Sequence, residues 1–212
     1  MEETQENIQF QLTDELIEKV EIIIEDENDN NLKALLNEYH HADIAEILDE
    51  LDLEDAVYII KLLDSETTSV ILMELDEDFR EKILKNLSTK EIAEEVEELD
   101  TDDATDMIAE LPEERQAEVI SYIEDHEHRD EIQELLAYDE DTAGGLMAKE
   151  LVKVYETWTV AGCLRRIRGQ AKDVTRVHSV YVVDKQDKLI GRLSLKDLII
   201  SKSDIKIADI AK

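Results

Sequence analysis

The sequence is poor in glycine, proline, cysteine and aromatic residues. No glycine occurs before Gly144 and Gly145, Pro112 is the only proline, and Cys163 is the only cysteine. A single cysteine excludes an intramolecular disulfide and suits a reducing compartment. No apolar run reaches the length of a membrane span, and the acidic first residues lack the apolar core of a signal peptide. We therefore expect a location in the cytoplasm or at the cytoplasmic face of a membrane.

Basic residues are scarce in the first two thirds of the chain. Residues 1–142 carry 48 acidic and 9 basic side chains, a net charge of −39, whereas residues 143–212 carry 8 and 14, a net charge of +6. This change of composition indicates a domain boundary. Because most of the surface would repel phosphates, we expect no nucleic acid partner. The charge favours cations, although a solvated acidic surface without a ligand would explain it equally well.

The acidic part repeats every twelve residues. Each block ends on a large aliphatic residue, and the members of this series are Leu51, Leu63, Leu75, Leu87, Leu99, Leu111 and Ile123. Apolar residues inside a block follow one helix face, as Ile44, Ile47 and Leu48 do. Twelve residues at about 100° each would rotate this stripe by roughly 120° per block, so one continuous helix is excluded. The pattern predicts short helices whose successive members stack into a right-angled superhelix.

The first residue of each block is typical of a helix start. Asp52, Asp64, Asp76, Ser88 and Asp100 suit the N-cap, and Pro112 suits the first helical position. Ser88 and Glu91 have the spacing of a capping box. Two further helices are predicted upstream, at residues 13–27 and 30–40.

A different order of elements follows the glycines. We predict a strand at Leu151–Tyr155, a helix capped by Thr159, a strand at Val177–Asp184, a strand at Leu189–Ser194 and a helix in "LKDLII". This order, with the "VVD" ending, the "KLIGRLSLKDL" run and the closing "IKIADIAK", resembles one CBS repeat.

The string "TAGGLM" between the two parts carries the most specific resemblance. An acidic helical-repeat domain, this string and a CBS repeat together resemble the cytosolic part of the MgtE family of magnesium transporters. The resemblance implies that intracellular Mg²⁺ bridges acidic surfaces of the N and CBS domains, compacts the module and closes a transmembrane pore. It also implies Mg²⁺ as the bound ion, homodimerisation through CBS repeats, and a second CBS repeat and a transmembrane domain beyond these 212 residues. Some magnesium ligands of the family would lie in those parts.

The predicted fold class is multi-domain: an all-α right-angled superhelix of short helices built from 12-residue repeats, followed by an α/β CBS repeat. Residues 1–34 form an N-terminal helical or flexible segment and residues 35–137 the acidic repeat domain. Residues 138–150 form a glycine-containing hinge, and residues 151–212 form a single CBS repeat. With its second repeat missing, the sheet should expose apolar surface that pairs with a second chain.

Candidate metal ligands lie in the block "DTDDATDMIAEL". Asp102, Asp103, Asp106 and Glu110 are spaced three or four residues apart, so one helix face presents several carboxylates. The resemblance points to Asp106 first. The simpler interpretation of Asp102 and Asp103 is that acids in a first helical turn complement the helix dipole. Glu140 and Asp141 are weaker candidates.

Gly144 and Gly145 are predicted to act as a hinge. Glycine tolerates positive φ and close backbone approach, so the pair would end the last acidic helix and set the angle between the domains.

Ser194 and Asp197 allow two interpretations. In many CBS modules a hydroxyl residue and an aspartate at this spacing hold the ribose of an adenine nucleotide, and the same spacing is close to a capping box. Capping is the simpler explanation, since the cleft between two repeats cannot form within one.

The remaining polar candidates indicate no chemistry. The histidine pairs His40–His41 and His126–His128 lack the i, i+4 spacing of a helical zinc site, and Cys163 lies on an apolar helix face. No motif of a hydrolase, P-loop protein or metalloprotease occurs, so we expect no enzyme. Besides a magnesium sensor, the alternatives are an adenine-nucleotide-binding CBS regulator and a helical-repeat scaffold, because the repeats also resemble those of a flagellar motor-switch protein.

Overall fold

The computed structural model describes residues 10–139, 141–170 and 179–212. The chain divides into two compact units, residues 1–99 with 103–139 and residues 100–102 with 140–212. Each unit has its own hydrophobic core. None of the described helices has the length and apolar character that a membrane span requires.

Between residues 10 and 139, the described part of the repeat region and of the segment before it, the chain forms ten short helices. They are α1 (Asp14–Glu25), α2 (Asp29–Leu36), α3 (His41–Glu50), α4 (Leu53–Leu62), α5 (Ser65–Glu74), α6 (Glu77–Leu84), α7 (Thr89–Val96), α8 (Thr101–Ala109), α9 (Glu113–Tyr122) and α10 (His126–Leu135).

The predicted breaks between helices are confirmed. The helices α4 to α8 begin directly after the five predicted N-cap residues. The capping box is present, since Ser88 N donates to Glu91 Oε2 at 2.6 Å and Glu91 N donates to Ser88 Oγ at 3.2 Å. Asp52 occupies its N-cap position without a capping hydrogen bond from its side chain. Pro112 is the N-cap and not the first helical residue, because its ψ of 142° is extended.

Helices of the first unit pack mainly against alternate neighbours. The strongest contacts join α3 to α5, α5 to α7 and α7 to α9, and α4 also packs on α6. The expectation that successive helices stack was therefore wrong in detail. A sharp turn at every block boundary places helices two blocks apart side by side, and these helices share the core. The predicted fold class, a superhelix of short helices followed by an α/β repeat, is confirmed.

The second unit is a small sheet with helices on one face. Its elements are β1 (Val152–Tyr155), α11 (Val160–Gln170), β2 (Ser179–Val183), β3 (Leu189–Ser194), α12 (Leu195–Ile200) and a 3-10 turn (Ile207–Asp209). β1 pairs with β2 in parallel, and β2 pairs with β3 antiparallel. The bounds of β3 and α12 agree with the prediction, whereas Val177 and His178 of the predicted second strand lie outside the described residues.

One face of this sheet is apolar and buried, and the other face is partly apolar and exposed. Val154, Val182 and Leu193 lie in the core. Tyr181 and Ile190 are more than two fifths exposed, and Ile199 and Ile200 of α12 are about 70% exposed. The second unit thus presents apolar side chains to solvent, as the sequence analysis predicted.

The prediction that the glycine pair ends the last acidic helix was wrong. No described glycine has a positive φ, and α10 ends at Leu135, well before Gly144. Residues 141–146 form turns in which Gly145 N donates to Thr142 Oγ1 at 3.2 Å and Leu146 N donates to the Thr142 carbonyl at 3.1 Å. Hydrogen bonds to threonine therefore shape this segment without left-handed backbone. Glu140 lies outside the described residues.

Candidate functional site

The first unit contains an acidic hollow of about 550 Å³ where α5 ends, α6 begins and α8 passes. We call it the acidic hollow, and its lining residues are Met73, Leu75, Asp76, Glu77, Asp78, Arg80 and Asp106. Four of these seven side chains are carboxylates. The hollow thus brings Asp106, the first metal candidate of the sequence, next to acids that lie about thirty residues earlier.

Helix starts position the acids of the hollow. Asp76 is the N-cap of α6, and its carboxylate accepts a hydrogen bond from Asp78 N at 3.0 Å. Glu77 and Asp78 follow in the first turn, where acids complement the helix dipole. Asp106 projects from the exposed side of α8, opposite Met107 and Ile108 in the core.

A buried arginine forms one wall of the hollow. Arg80 is 5% exposed, and its Nε donates to both carboxylate oxygens of Glu110 at 3.0 Å, while Nη2 donates to Glu110 Oε1. Its Nη1 donates to the carbonyls of Leu72 at 3.2 Å and Leu75 at 3.4 Å. Arg80 therefore ties α6 to α8 and caps the end of α5.

The charges around Arg80 keep it protonated. Burial by itself lowers the pKa of Arg80, but the hydrogen bonds to Glu110 and the charges of Glu110, Glu77 and Asp106 outweigh it and raise the pKa above its ordinary value. Arg80 thus pairs with Glu110, and the carboxylates that line the hollow itself are those of Asp76, Glu77, Asp78 and Asp106.

The four predicted metal ligands occupy different surroundings. Asp103 and Asp106 are exposed, Asp102 is half-buried, and Glu110 is turned to Arg80. Within the described part of the chain, no three His, Cys, Asp or Glu side chains converge closely enough to hold a metal ion. A hard divalent cation that keeps several waters and takes one or two carboxylates is the kind of ion that such a hollow suits.

The structure gives Ser194 and Asp197 a local role in the second unit. Ser194 is the N-cap of α12, and its Oγ accepts a hydrogen bond from Asp197 N at 3.1 Å. The hydrogen bonds from Ser194 and Lys212 hold the pKa of Asp197 below its ordinary value, and Lys212 Nζ lies 3.3 Å from Asp197 Oδ2. Both residues therefore have the contacts of a helix cap.

Another hollow, of about 480 Å³, lies beside the start of α11. The described residues that line it are Trp158, Thr159, Gly162, Arg165 and Arg166, and neither Ser194 nor Asp197 is among them. Cys163, on the opposite face of α11, is fully buried, and burial raises the pKa of its thiol to about 11. The thiol is thus a core group that stays protonated at neutral pH.

The sequence prediction missed Arg80. A signal was present, because Arg80 occupies the fifth position of its block, where Ala56, Ile92 and Ala104 are buried. A charged residue at a core position of a repeat requires a buried partner, and Glu110 is that partner.

Comparisons with known proteins agree with this architecture. The profile of the MgtE intracellular N domain matches residues 39–141, and the profile of the CBS domain matches residues 143–204. A crystal structure of the cytosolic domain of the Mg²⁺ channel MgtE in complex with ATP is 31% identical, with a TM-score of 0.84 over 92% of this chain and 80% of that chain. The chain belongs to the MgtE family.

Further relatives agree with this assignment. The structure of the soluble part of a magnesium transporter superposes with a TM-score of 0.80 at 27% identity, over 93% of this chain and 78% of that chain. The magnesium transporters MgtE of Enterococcus faecalis and Thermus thermophilus are 40% identical over 84 residues and 44% identical over 82 residues. These matches cover 40% and 39% of this chain but 18% of each of those proteins.

Proposed function

We propose that the chain is the magnesium-sensing regulatory region of a membrane magnesium transporter and works at the cytoplasmic face. Mg²⁺ bridges acidic surfaces of the MgtE N domain and the CBS domain, and the bridged, compact state closes the pore. The observation that carries this proposal is the acidic hollow, which places Asp106 among three further carboxylates while Arg80 is engaged by Glu110. The role is one of binding and regulation, without catalysis.

Electrostatics explains why the ion would act as a switch. Residues 1–142 carry a net charge of −39, so they repel any other acidic surface. A divalent cation held by Asp106 with Asp76 or Asp78, and otherwise by water, would remove part of this repulsion. We also propose that CBS repeats pair two copies of the chain, which would cover the exposed Tyr181 and Ile190.

We expect Mg²⁺ in the millimolar range to raise the melting temperature and reduce the radius of gyration of the chain, and Asp106→Asn to weaken both effects. The reason is that Asp106 contributes to the bound ion, so its replacement removes a ligand without changing side-chain size. Thermal unfolding and small-angle scattering are recorded with ionic strength matched by a monovalent salt, which separates binding from screening.

Glu118→Gln is the matched control, because Glu118 is exposed on α9, outside the hollow, and its replacement removes the same charge. Equal Mg²⁺ responses of the two variants, or a wild-type response that the monovalent salt reproduces, would refute binding at Asp106.

A second candidate function is adenine-nucleotide binding in the second unit, which the ATP complex of the related cytosolic domain favours. If Ser194 and Asp197 hold a ribose, Ser194→Ala abolishes the binding of ATP in calorimetry. If they form only a helix cap, Ser194→Ala lowers the stability of the second unit by about 1 kcal/mol and leaves ATP binding unchanged. The contacts of Ser194 lead us to expect the second result.

A further inference from the structure

The first unit contains a buried carboxyl group that the magnesium proposal does not use. Glu95 on α7 is 6% exposed, and no other described Asp or Glu is as deeply buried. It is the eighth residue of its block. The eighth residues of the neighbouring blocks are Ile59, Ile71, Ile83, Met107 and Val119, all fully buried. A carboxyl group thus occupies a place that the repeat otherwise fills with an apolar side chain.

Thr68 on α5 is the hydrogen-bonding partner of Glu95. Its Oγ1 lies 2.8 Å from Glu95 Oε1 and 2.7 Å from Glu95 Oε2, and 3.0 Å from the carbonyl oxygen of Asp64. Three oxygens therefore surround a hydroxyl that has one proton to donate. If the hydroxyl donates to the Asp64 carbonyl, a hydrogen bond to Glu95 requires a proton on the carboxyl group.

The charges near Glu95 favour the protonated form. The acids that act on it are Glu94 on α7, Glu98 just after α7 and Asp64 at the start of α5. No ion pair of the described residues includes Glu95. Burial raises the pKa of Glu95, the hydrogen bond from Thr68 opposes this, and repulsion by the three acids adds to it, so that the pKa reaches about 8.

Charged side chains on the other helices packed near α7 are engaged elsewhere. Lys61 at the end of α4 pairs with Glu91 at 3.7 Å. Arg115 on α9 donates to the carbonyls of Leu84 and Leu87, and His128 on α10 contacts the Val96 carbonyl at 3.2 Å. The other charged residues of α9, Glu113, Glu114 and Glu118, are exposed.

We propose that Glu95 is a proton-binding site that makes the acidic unit pH-sensitive: the protonated carboxyl holds α5 against α7 through Thr68, and ionisation loosens this contact. This property goes beyond magnesium binding, since it requires neither the acidic hollow nor the second unit. A rise in the pH around the protein would weaken the packing of α5 against α7, and a fall in pH would strengthen it.

The sign follows from linkage. A carboxyl whose pKa is raised on folding binds its proton more tightly in the folded state, so the stability it contributes is full below the ordinary value of 4.5 and falls as the pH rises to about 8. Each pH unit inside this window lowers the folding equilibrium constant about tenfold, which amounts to about a hundredfold over two units. Above the window the loss is complete.

The test compares Glu95→Gln with wild type in urea unfolding followed by far-ultraviolet circular dichroism, at several pH values across this window. Glutamine keeps the shape of the side chain, and its neutral amide can accept a hydrogen bond from Thr68 or donate one to it. We expect equal stability at the acidic end and, two pH units further into the window, a variant that is more stable by about a hundredfold in the folding equilibrium constant. Glu98→Gln, which removes an exposed charge just beyond the end of α7, is the matched control and should keep most of the wild-type pH dependence.

Two further measurements keep the proposal testable if Glu95→Gln folds poorly. Glu95→Met restores the residue type of the repeat and should also remove the pH dependence. In wild type, the carboxyl carbon of Glu95, assigned by its absence from the variants, should titrate in NMR near pH 8. Parallel pH curves for wild type and both variants, or a titration of Glu95 near its ordinary value, would overturn the proposal.

Discussion

Replacing Arg80 with methionine is expected to destabilise the first unit by about 3–5 kcal/mol, the usual cost of leaving one member of a buried ion pair without its partner. The substitution leaves Glu110 without its cation, and it removes the hydrogen bonds to the carbonyls of Leu72 and Leu75. Urea unfolding followed by circular dichroism measures the loss. The fluorescence of Trp158, the only tryptophan, reports on the second unit separately.

Two comparisons make the Arg80 result specific. Lys85→Met breaks an exposed ion pair with Glu81, in which both side chains are more than two fifths exposed, and should cost no more than about 0.5 kcal/mol. The double variant Arg80→Met, Glu110→Leu should recover much of the stability, because an apolar pair of similar size needs no desolvation of charge. A loss as small for Arg80→Met as for Lys85→Met would show that the buried pair does not hold α6 and α8 together.

Ile71→Ala is expected to lower the free energy of unfolding of the first unit by about 2–5 kcal/mol, since it leaves a cavity that the surrounding helices fill only in part. Ile71 is fully buried at the centre of α5, which packs on both α3 and α7. The cavity would therefore weaken two helix contacts at once. The same urea experiment measures this loss, with Trp158 again reporting on the second unit.

Ile22→Ala is the control for Ile71→Ala. Ile22 is 58% exposed on α1, so the same truncation there creates no cavity and should change stability by less than about 0.5 kcal/mol. Similar losses at the two positions would mean that the repeat core is not close-packed around α5.

Local signals made much of the fold predictable. The helix breaks at Asp64, Asp76 and Ser88 follow from the capping side chain and from the aliphatic residue directly before it. Because these signals lie next to each other in the sequence, they can be recognised without the structure. The bounds of β3 and α12 were predicted for the same reason. Which helices pack against each other was not predictable, because periodicity defines the apolar face of a helix but does not show which helix covers that face.

The candidate site was predictable only in part. Helical spacing pointed to Asp106, but the hollow is also lined by Asp76 and Asp78. These two residues lie close to Asp106 only because the chain turns between successive helices. Arg80 and Glu95 were visible once the blocks are aligned, as charged residues at core positions. A search for clusters of acids does not find them, since each is a single departure from the repeat.

The prediction that Gly144 and Gly145 end the last acidic helix was wrong, because α10 ends at Leu135 and no described glycine has a positive φ. Glycine permits that conformation without requiring it, and Thr142 forms the turn through its hydroxyl and carbonyl instead.

The packing of alternate helices has a consequence for how this domain could grow by gene duplication. Because α3, α5, α7 and α9 follow one another in the stack, a duplicated segment of two blocks would add one step and leave every later helix facing as before. Duplication of one block would move every later helix from one series of alternate helices to the other. Side chains such as Arg80 would then lie beside residues other than their present partners. The segment that can be duplicated without disturbing the packing is thus a pair of helices, although the repeat visible in the sequence contains a single helix.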